Sequence, residues 1–217
     1  MDGPTLQARI YGGYARAAAR IGLPCSQYRP TNALTPAIAA GNLLRTLTAS
    51  FNAQDFKYGK AQVYGKATWY CVADGTQTAP SDYLVRPDGV AFYVAALQPL
   101  LPIFAIECNR TVNVFRPQQQ QGVGAQGYGG DTVAAETPLV IGFPASVLLG
   151  TKGDRSLVNL PGDVRNPAWS VLLPALPGGV YLRNEDVITD DQARRYVISS
   201  AELTELGWRI NAAQAET

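Results

Sequence analysis

Glycine and proline punctuate this chain so often that long helices have little room to form. There are 21 Gly and 15 Pro in 217 residues, and an interior Gly or Pro costs a helix about 1 or 3 kcal/mol respectively. Past residue 140 the turn formers recur at short intervals: Gly142, Pro144, Gly150, Gly153, Pro161-Gly162, Pro174 and Pro177-Gly178-Gly179. The runs between turns are short and rich in aromatic and β-branched residues, as strands are. Candidate strands cover 67–73, 83–86, 90–97, 111–115, 146–149, 169–173, 187–189, 196–199 and 208–210. Arg86-Pro87-Asp88-Gly89 joins two of them as a hairpin, because Pro presets the first φ of the turn and Gly accepts a positive one. The pattern predicts a mainly β fold of small barrels or sandwiches. Apolar residues make up 47% of the chain and charged residues 16%, enough apolar material for a buried core.

One segment departs from this pattern. From Thr5 to Ile21, Leu6, Ile10, Tyr14, Ala17 and Ile21 recur at steps of three or four, which gathers them on one helical face. Arg9, Arg16 and Arg20 form a second stripe beside it. Thr5 is a candidate cap, and Gly22-Leu23-Pro24 is a stop signal. Gly12 and Gly13 weaken the helix in isolation, so its apolar stripe needs cover. Residues Cys25 to Pro36 read as irregular, and Ala37 to Phe51 as a second short helix or a loop. The low-complexity stretch QQQQGVGAQGYGGDTVAAE from Gln118 holds too little apolar area to offset the entropy of ordering. The predicted organisation is a helical N-terminal arm and irregular segment over 1–50 and a first β-rich unit over 51–117. A flexible Gly/Gln-rich loop or linker over 118–137 leads to a second, small barrel-like β-rich unit over 138–217.

The chain contains no histidine. Ser-His-Asp and Cys-His catalysis both need an imidazole, as do ordinary catalytic zinc sites. Cys25, Cys71 and Cys108 are far apart in sequence and read as buried free thiols. The sequence therefore points to no catalytic residue, no metal ligand set and no cofactor. Gly122 to Gly127 matches GxGxxG, but glutamines precede it where a buried strand is required. Lys152-Gly153-Asp154-Arg155 and Asp163-Val164-Arg165 place charges in Gly/Pro loops and read as solvated. Glu185, Asp186, Asp190 and Asp191 are the densest acids, but Asp190-Asp191-Gln192 reads as a hairpin turn rather than half of a hydrolase carboxylate pair. Acid–base work by Asp186 or Asp190 is the strongest surviving enzymatic alternative. The start MDGPTLQARI lacks the basic and apolar regions of a secretory signal, and no apolar run reaches the ~18 residues of a membrane helix, so no membrane partner is expected.

Net charge is +1, unevenly distributed. Residues 1–66 carry eight basic and two acidic side chains, residues 67–184 seven and eight, and residues 185–217 three and seven. A basic front and an acidic back suit neighbours of complementary potential.

The segments QARIYGGYARAAARIGLPCSQYRPT, ALQPLLPIFAIECNRTVNVFRP, GFPASVLLGTKGD, LPGDVRNPAW and NEDVITDDQARRYVISSAELTELGWRI resemble virion structural proteins of contractile-tailed bacteriophages, in the tail and baseplate group. The last segment is also similar to the small β-barrels of head-closure and tail-adaptor proteins, which leaves a head-to-tail connector or collar placement open. The resemblance implies a non-enzymatic subunit assembled in the host cytoplasm into a virion, as a symmetric ring of its own copies beside other tail, baseplate or neck proteins. DNA contact is expected only if the chain lines a channel. The candidate interface residues are Leu6, Arg9, Ile10, Arg16 and Arg20 on the helix, with Glu185, Asp186, Asp190 and Asp191 opposite them. A carbohydrate-binding or carbohydrate-hydrolysing virion module is the alternative of another class, given Trp69-Tyr70, Tyr83 and Tyr93 in neighbouring candidate strands.

Overall fold

The computed structural model describes residues 2–53, 65–117, 136–150 and 168–215. Among the described residues one α-helix, α1 (Gly3–Ile21), precedes twelve strands. The first six are β1 (Leu23–Tyr28), β2 (Leu43–Ala53), β3 (Thr68–Val72), β4 (Tyr83–Val85), β5 (Ala91–Ala96) and β6 (Ile103–Cys108). The second six are β7 (Arg110–Pro117), β8 (Glu136–Leu149), β9 (Ala168–Leu173), β10 (Val187–Asp190), β11 (Arg195–Thr204) and β12 (Gly207–Gln214). Each set closes into an antiparallel barrel, which leaves no free sheet edge. The predicted mainly β fold with a helical arm and two β-rich units is what forms.

The unit boundaries differ from those the sequence suggested. β1 and β2 lie in the segment read as irregular, helical or loop, and both belong to the first barrel. The division between barrels falls at Asn109, between β6 and β7, so residues 110–117 belong to the second barrel. Residues 118–135 lie outside the described residues. They connect β7 to β8, which are paired neighbours in one barrel, and so do not join the two units.

The barrels are copies of one topology. Around the first, the strands run β1-β2-β3-β6-β5-β4; around the second, β7-β8-β9-β12-β11-β10, which is the same order read in each half's own numbering. Register repeats as well. Cys25 lies opposite Leu47 as Val112 lies opposite Phe143, and Phe51 opposite Cys71 as Val147 opposite Val171. Leu84 and Phe92 face each other as Ile188 and Tyr196 do. Even the irregularity after Val94, where β5 pairs with β6, recurs after Ile198 between β11 and β12. Trp69 opposite Ala105 is matched by Trp169 opposite Ala212, and each Trp stands edge-on to its barrel's inward aromatic ring, Phe92 or Tyr196.

Alternation along the strands sends one residue set inward and the next outward. Cys25, Leu47, Cys71, Leu84, Phe92, Val94 and Ile103 fill the first barrel. The outward set of the same sheet is equally buried: Tyr83, Tyr93, Ala95 and Ile106 join the core of the second barrel. Tyr83 stands edge-on to Phe143 at 6.2 Å and its hydroxyl donates to the Pro144 carbonyl at 2.9 Å. The long β1–β2 connection adds Ala37 N–H to the Gly142 carbonyl, while Ile141 N–H donates to Ala33. Gly142 has φ +67, and a Cβ there would come 2.9 Å from Pro36. Gly142→Ala is expected to destabilise the chain by roughly 1–3 kcal/mol, combining the left-handed penalty of about 1–2 kcal/mol with displacement of Pro36, as read from the shift in a urea unfolding midpoint.

The helix begins one turn before the predicted cap. Asp2 is its N-cap and its carboxylate accepts from Thr5 N–H at 3.3 Å; hydrogen bonding by Thr5, its side chain first and then its N–H, holds the Asp2 carboxyl below its ordinary range. α1 packs on β2 and β3 of its own chain, through Ala18 and through Tyr11, whose ring rests against Gly75. Gln7 Oε1 accepts from Leu100 N–H at 2.7 Å.

Candidate functional site

A charged group buried inside a protein needs partners to be tolerated there. Asp82 is fully buried immediately before β4. Its two oxygens take Arg29 Nε and Nη2, each at 2.7 Å, and the second oxygen also accepts from Ala79 N–H and the Gln27 amide. Asp186, immediately before β10, is buried in the same way. Arg116 binds it through Nε at 2.8 Å and Nη2 at 2.9 Å, and Arg183 N–H donates to it at 2.8 Å. Each arginine also spans to a backbone carbonyl, of Gln77 or Tyr181. Both aspartates follow a residue in the left-handed region, Ser81 at φ 71 and Glu185 at φ 73. Asp186 is thus the internal counterpart of Asp82, a clamp tying the strand that opens its barrel to the fourth.

The remaining sequence candidates sort by the same test. Asp190 is buried, accepts from Gln192 and Arg194 N–H groups and from the Tyr196 hydroxyl, and closes the β10–β11 hairpin as expected. The Asp190 carboxylate helps to raise the Tyr196 phenol, after desolvation, which is the larger cause. Asp191 is exposed with Arg110 3.8 Å away. Glu185 is exposed and its N–H donates to the Ile198 carbonyl on β11. The expected interfacial role of Asp186 and Asp190 is therefore corrected: both carboxylates are consumed inside their own barrel. Leu6, Arg9, Arg16 and Arg20 are exposed and Ile10 half-buried, so the predicted stripe does not face the barrel squarely.

Among the described residues, the first barrel carries a polar chain that the second lacks. Gln27 is fully buried, donates to Asp82 at 2.7 Å and accepts from Arg45 Nε at 2.8 Å, and Arg45 reaches Asp74 at 3.1 Å. The matching pair in the second barrel is Val114 opposite Val140. Desolvation pushes the Asp74 carboxyl up, but bonds from Thr76 and Arg45 outweigh it and hold the group below the usual carboxylate range. Its stabilising contribution is therefore complete above that range and is lost as pH falls through the lowered pKa.

Two further features complete the chemistry. A pocket of about 130 Å³ lies where the barrels meet, walled by Arg29, Pro80, Ser81, Phe143 and Leu176, smaller than the ~300 Å³ of ordinary small-molecule sites. Among the described residues no three His, Cys, Asp or Glu side chains converge in a metal-binding group. All three cysteines are free, with Cys25 and Cys71 buried. Burial pushes all three thiols up, Cys71 and Cys108 furthest. None is expected to react with iodoacetamide at pH 8 in the native chain, since the thiolate is the nucleophile; mass spectrometry should show three additional labels on unfolding.

The apolar surface is not uniform. Beyond the α1 stripe, Val197 on β11 and Leu203 and Leu206 at the β11–β12 hairpin are exposed. The counterpart of Val197 is Tyr93, which is 1% exposed because the second barrel covers it. On β11 the sheet face that joins barrel to barrel inside the chain is thus exposed in the second barrel, whereas Val187, the counterpart of Tyr83, is buried. Comparison with protein-family models, with curated proteins and with solved structures finds no match to this chain.

Proposed function

We propose that this chain is a non-enzymatic structural component of a bacteriophage virion, a tail or baseplate protein that assembles with its own copies into a symmetric ring. The observation that carries the reading is the open β11 face. Within the chain the outer side of β5 and β6 packs on β8 of the next barrel, and among the described residues the equivalent β11 side of the second barrel leaves Val197 exposed. A contact that uses different faces on its two partners is heterologous, and repetition of such a contact closes into rings or runs on as filaments. The resemblance of the segments around α1, β6–β7 and β10–β12 to tail and baseplate proteins supports the virion setting. The buried polar groups add to it, since their partners lie within the barrels they stabilise.

Two measurements test the proposal. Light scattering coupled to size exclusion should show a discrete closed oligomer of the full chain. Immunogold labelling of virions from a culture that produces the chain should mark a single level at the tail or baseplate. A chain that stays monomeric at high concentration and leaves the particles unlabelled would overturn it.

A further inference from the structure

The two barrels place the two ends of this molecule on a line. In a six-strand ring, β2 and β5 are three places apart, on opposite sides. α1 covers the β2–β3 side of the first barrel, and the second barrel covers the β5–β6 side. In the second barrel β8, the counterpart of β2, faces the first barrel, so β11 points away from it. The order along the molecule is helix, barrel, barrel, open β11 face.

The two ends are complementary. At the helix end, Leu6 is 39% and Ile21 62% exposed, flanked by the exposed Arg9, Arg16 and Arg20. Arg9 and Arg20 take part in no ion pair among the described residues, and the bond of Arg16 is to the Gly12 carbonyl. At the far end, Val197 is 39% and Leu206 42% exposed, and Glu202 and Glu205 are exposed with them, while Leu203, opposite the buried Trp208, lies on the inward side of the hairpin tip. Arg209 lies across the strand pair from Glu202 and is the one basic side chain on the β11–β12 ladder beyond Arg195, which is engaged with Glu136. Apolar burial supplies most of the affinity in such a contact, while the charges select partner and orientation.

We infer that the outward face of α1 in one copy docks on the β11–β12 face of the next, Arg9, Arg16 and Arg20 meeting Glu202 and Glu205. This rests on the assembly reading above and names its contact. It also replaces Asp186 and Asp190, which are internally paired, with two glutamates that have no such partner. The helix then does between copies what the second barrel does within one, covering a β5-type side from a β2-type side.

A charge-exchange pair tests the inference on the full chain. Variant one carries Arg9→Glu, Arg16→Glu and Arg20→Glu; variant two carries Glu202→Arg and Glu205→Arg. Each alone brings like charges together and should raise the concentration needed for assembly at least tenfold. Mixed one to one, every junction is again complementary, and oligomers of alternating variants should return at near wild-type concentrations, as read by native mass spectrometry. If the wild type assembles and either variant does so equally well, this contact is wrong while the ring reading survives. If the wild type does not assemble, both fail. A photo-crosslinking residue at Ile21 gives a readout independent of variant folding. Crosslinks should fall within 197–209 of a second copy, and crosslinks confined to another region would overturn the inference.

Discussion

Asp82→Ala is expected to destabilise the chain by about 2–5 kcal/mol, the cost of leaving two buried donors unsatisfied at about 1–3 kcal/mol each. The carboxylate is 0% exposed and is the common acceptor for the Arg29 guanidinium, the Gln27 amide and Ala79 N–H. Deleting it leaves two donors unsatisfied next to a cation. Arg29 keeps 42% of its side chain in solvent and can rehydrate, so the loss concentrates on the Gln27 and Ala79 donors. A domain's entire stability is only ~5–15 kcal/mol, and one substitution can therefore bring the fold near its limit. Asp186→Ala breaks the matching clamp but touches no buried amide equivalent to Gln27, and should cost less than Asp82→Ala. Urea unfolding of both variants checks the order. A loss below ~1 kcal/mol at Asp82 would mean that its clamp behaves as an ordinary surface ion pair.

Tyr83→Ala should produce a comparable loss of about 3–5 kcal/mol, the range for deleting a buried aromatic side chain, together with a change in cooperativity. Tyr83 is fully buried, packs against Tyr93 and Phe143, and donates its hydroxyl across the barrel boundary to Pro144. Burial raises the phenol well above its ordinary pKa, which keeps that donor in place throughout the neutral and moderately alkaline range. Without the ring, the barrels lose the aromatic contact that couples them, and calorimetry should resolve two overlapping transitions in place of one. Tyr83→Phe keeps the ring and leaves the Pro144 carbonyl without its donor, so it should cost about 1–3 kcal/mol and preserve a single transition. A single transition in Tyr83→Ala would assign the coupling instead to the Ala33–Ala37 backbone bonds.

Much of the architecture is legible in the sequence because turn chemistry is local. Arg86-Pro87-Asp88-Gly89 forms its hairpin with Gly89 at φ 86, and the acids at 190–191 close the β10–β11 turn. β1 and β2 are hidden because the cues that mark them are not apolar: β2 carries Arg45, Thr46 and Thr48, and β1 buries Gln27 against a polar network. The unit boundary is misplaced for a related reason. A glycine-rich stretch signals a break in packing, but here it lies between two strands of one barrel, while the true division at Asn109 has no such marker. The helix stripe is visible in the sequence and its orientation is not, since the side that faces the barrel is set by Gly75 receiving Tyr11, a contact without a local signal. The duplication itself leaves little trace. Asp82-Tyr83-Leu84-Val85 and Asp186-Val187-Ile188-Thr189 share one aspartate and an apolar pattern, and only strand register reveals them as counterparts.

A molecule built twice carries its own record of permitted substitutions. Each inward position of one barrel has an equivalent position in the other, tested in the same register and the same kind of core. Cys25 and Cys71 correspond to Val112 and Val171. The second barrel thereby supplies a ready design for a chain without buried thiols: Cys25→Val with Cys71→Val, each exchange copying a residue that already folds in place. The exchange of Gln27 and Arg45 for the valine pair at 114 and 140 would by the same logic turn a polar interior into an apolar one, provided both members change together with the Asp82 contact they serve.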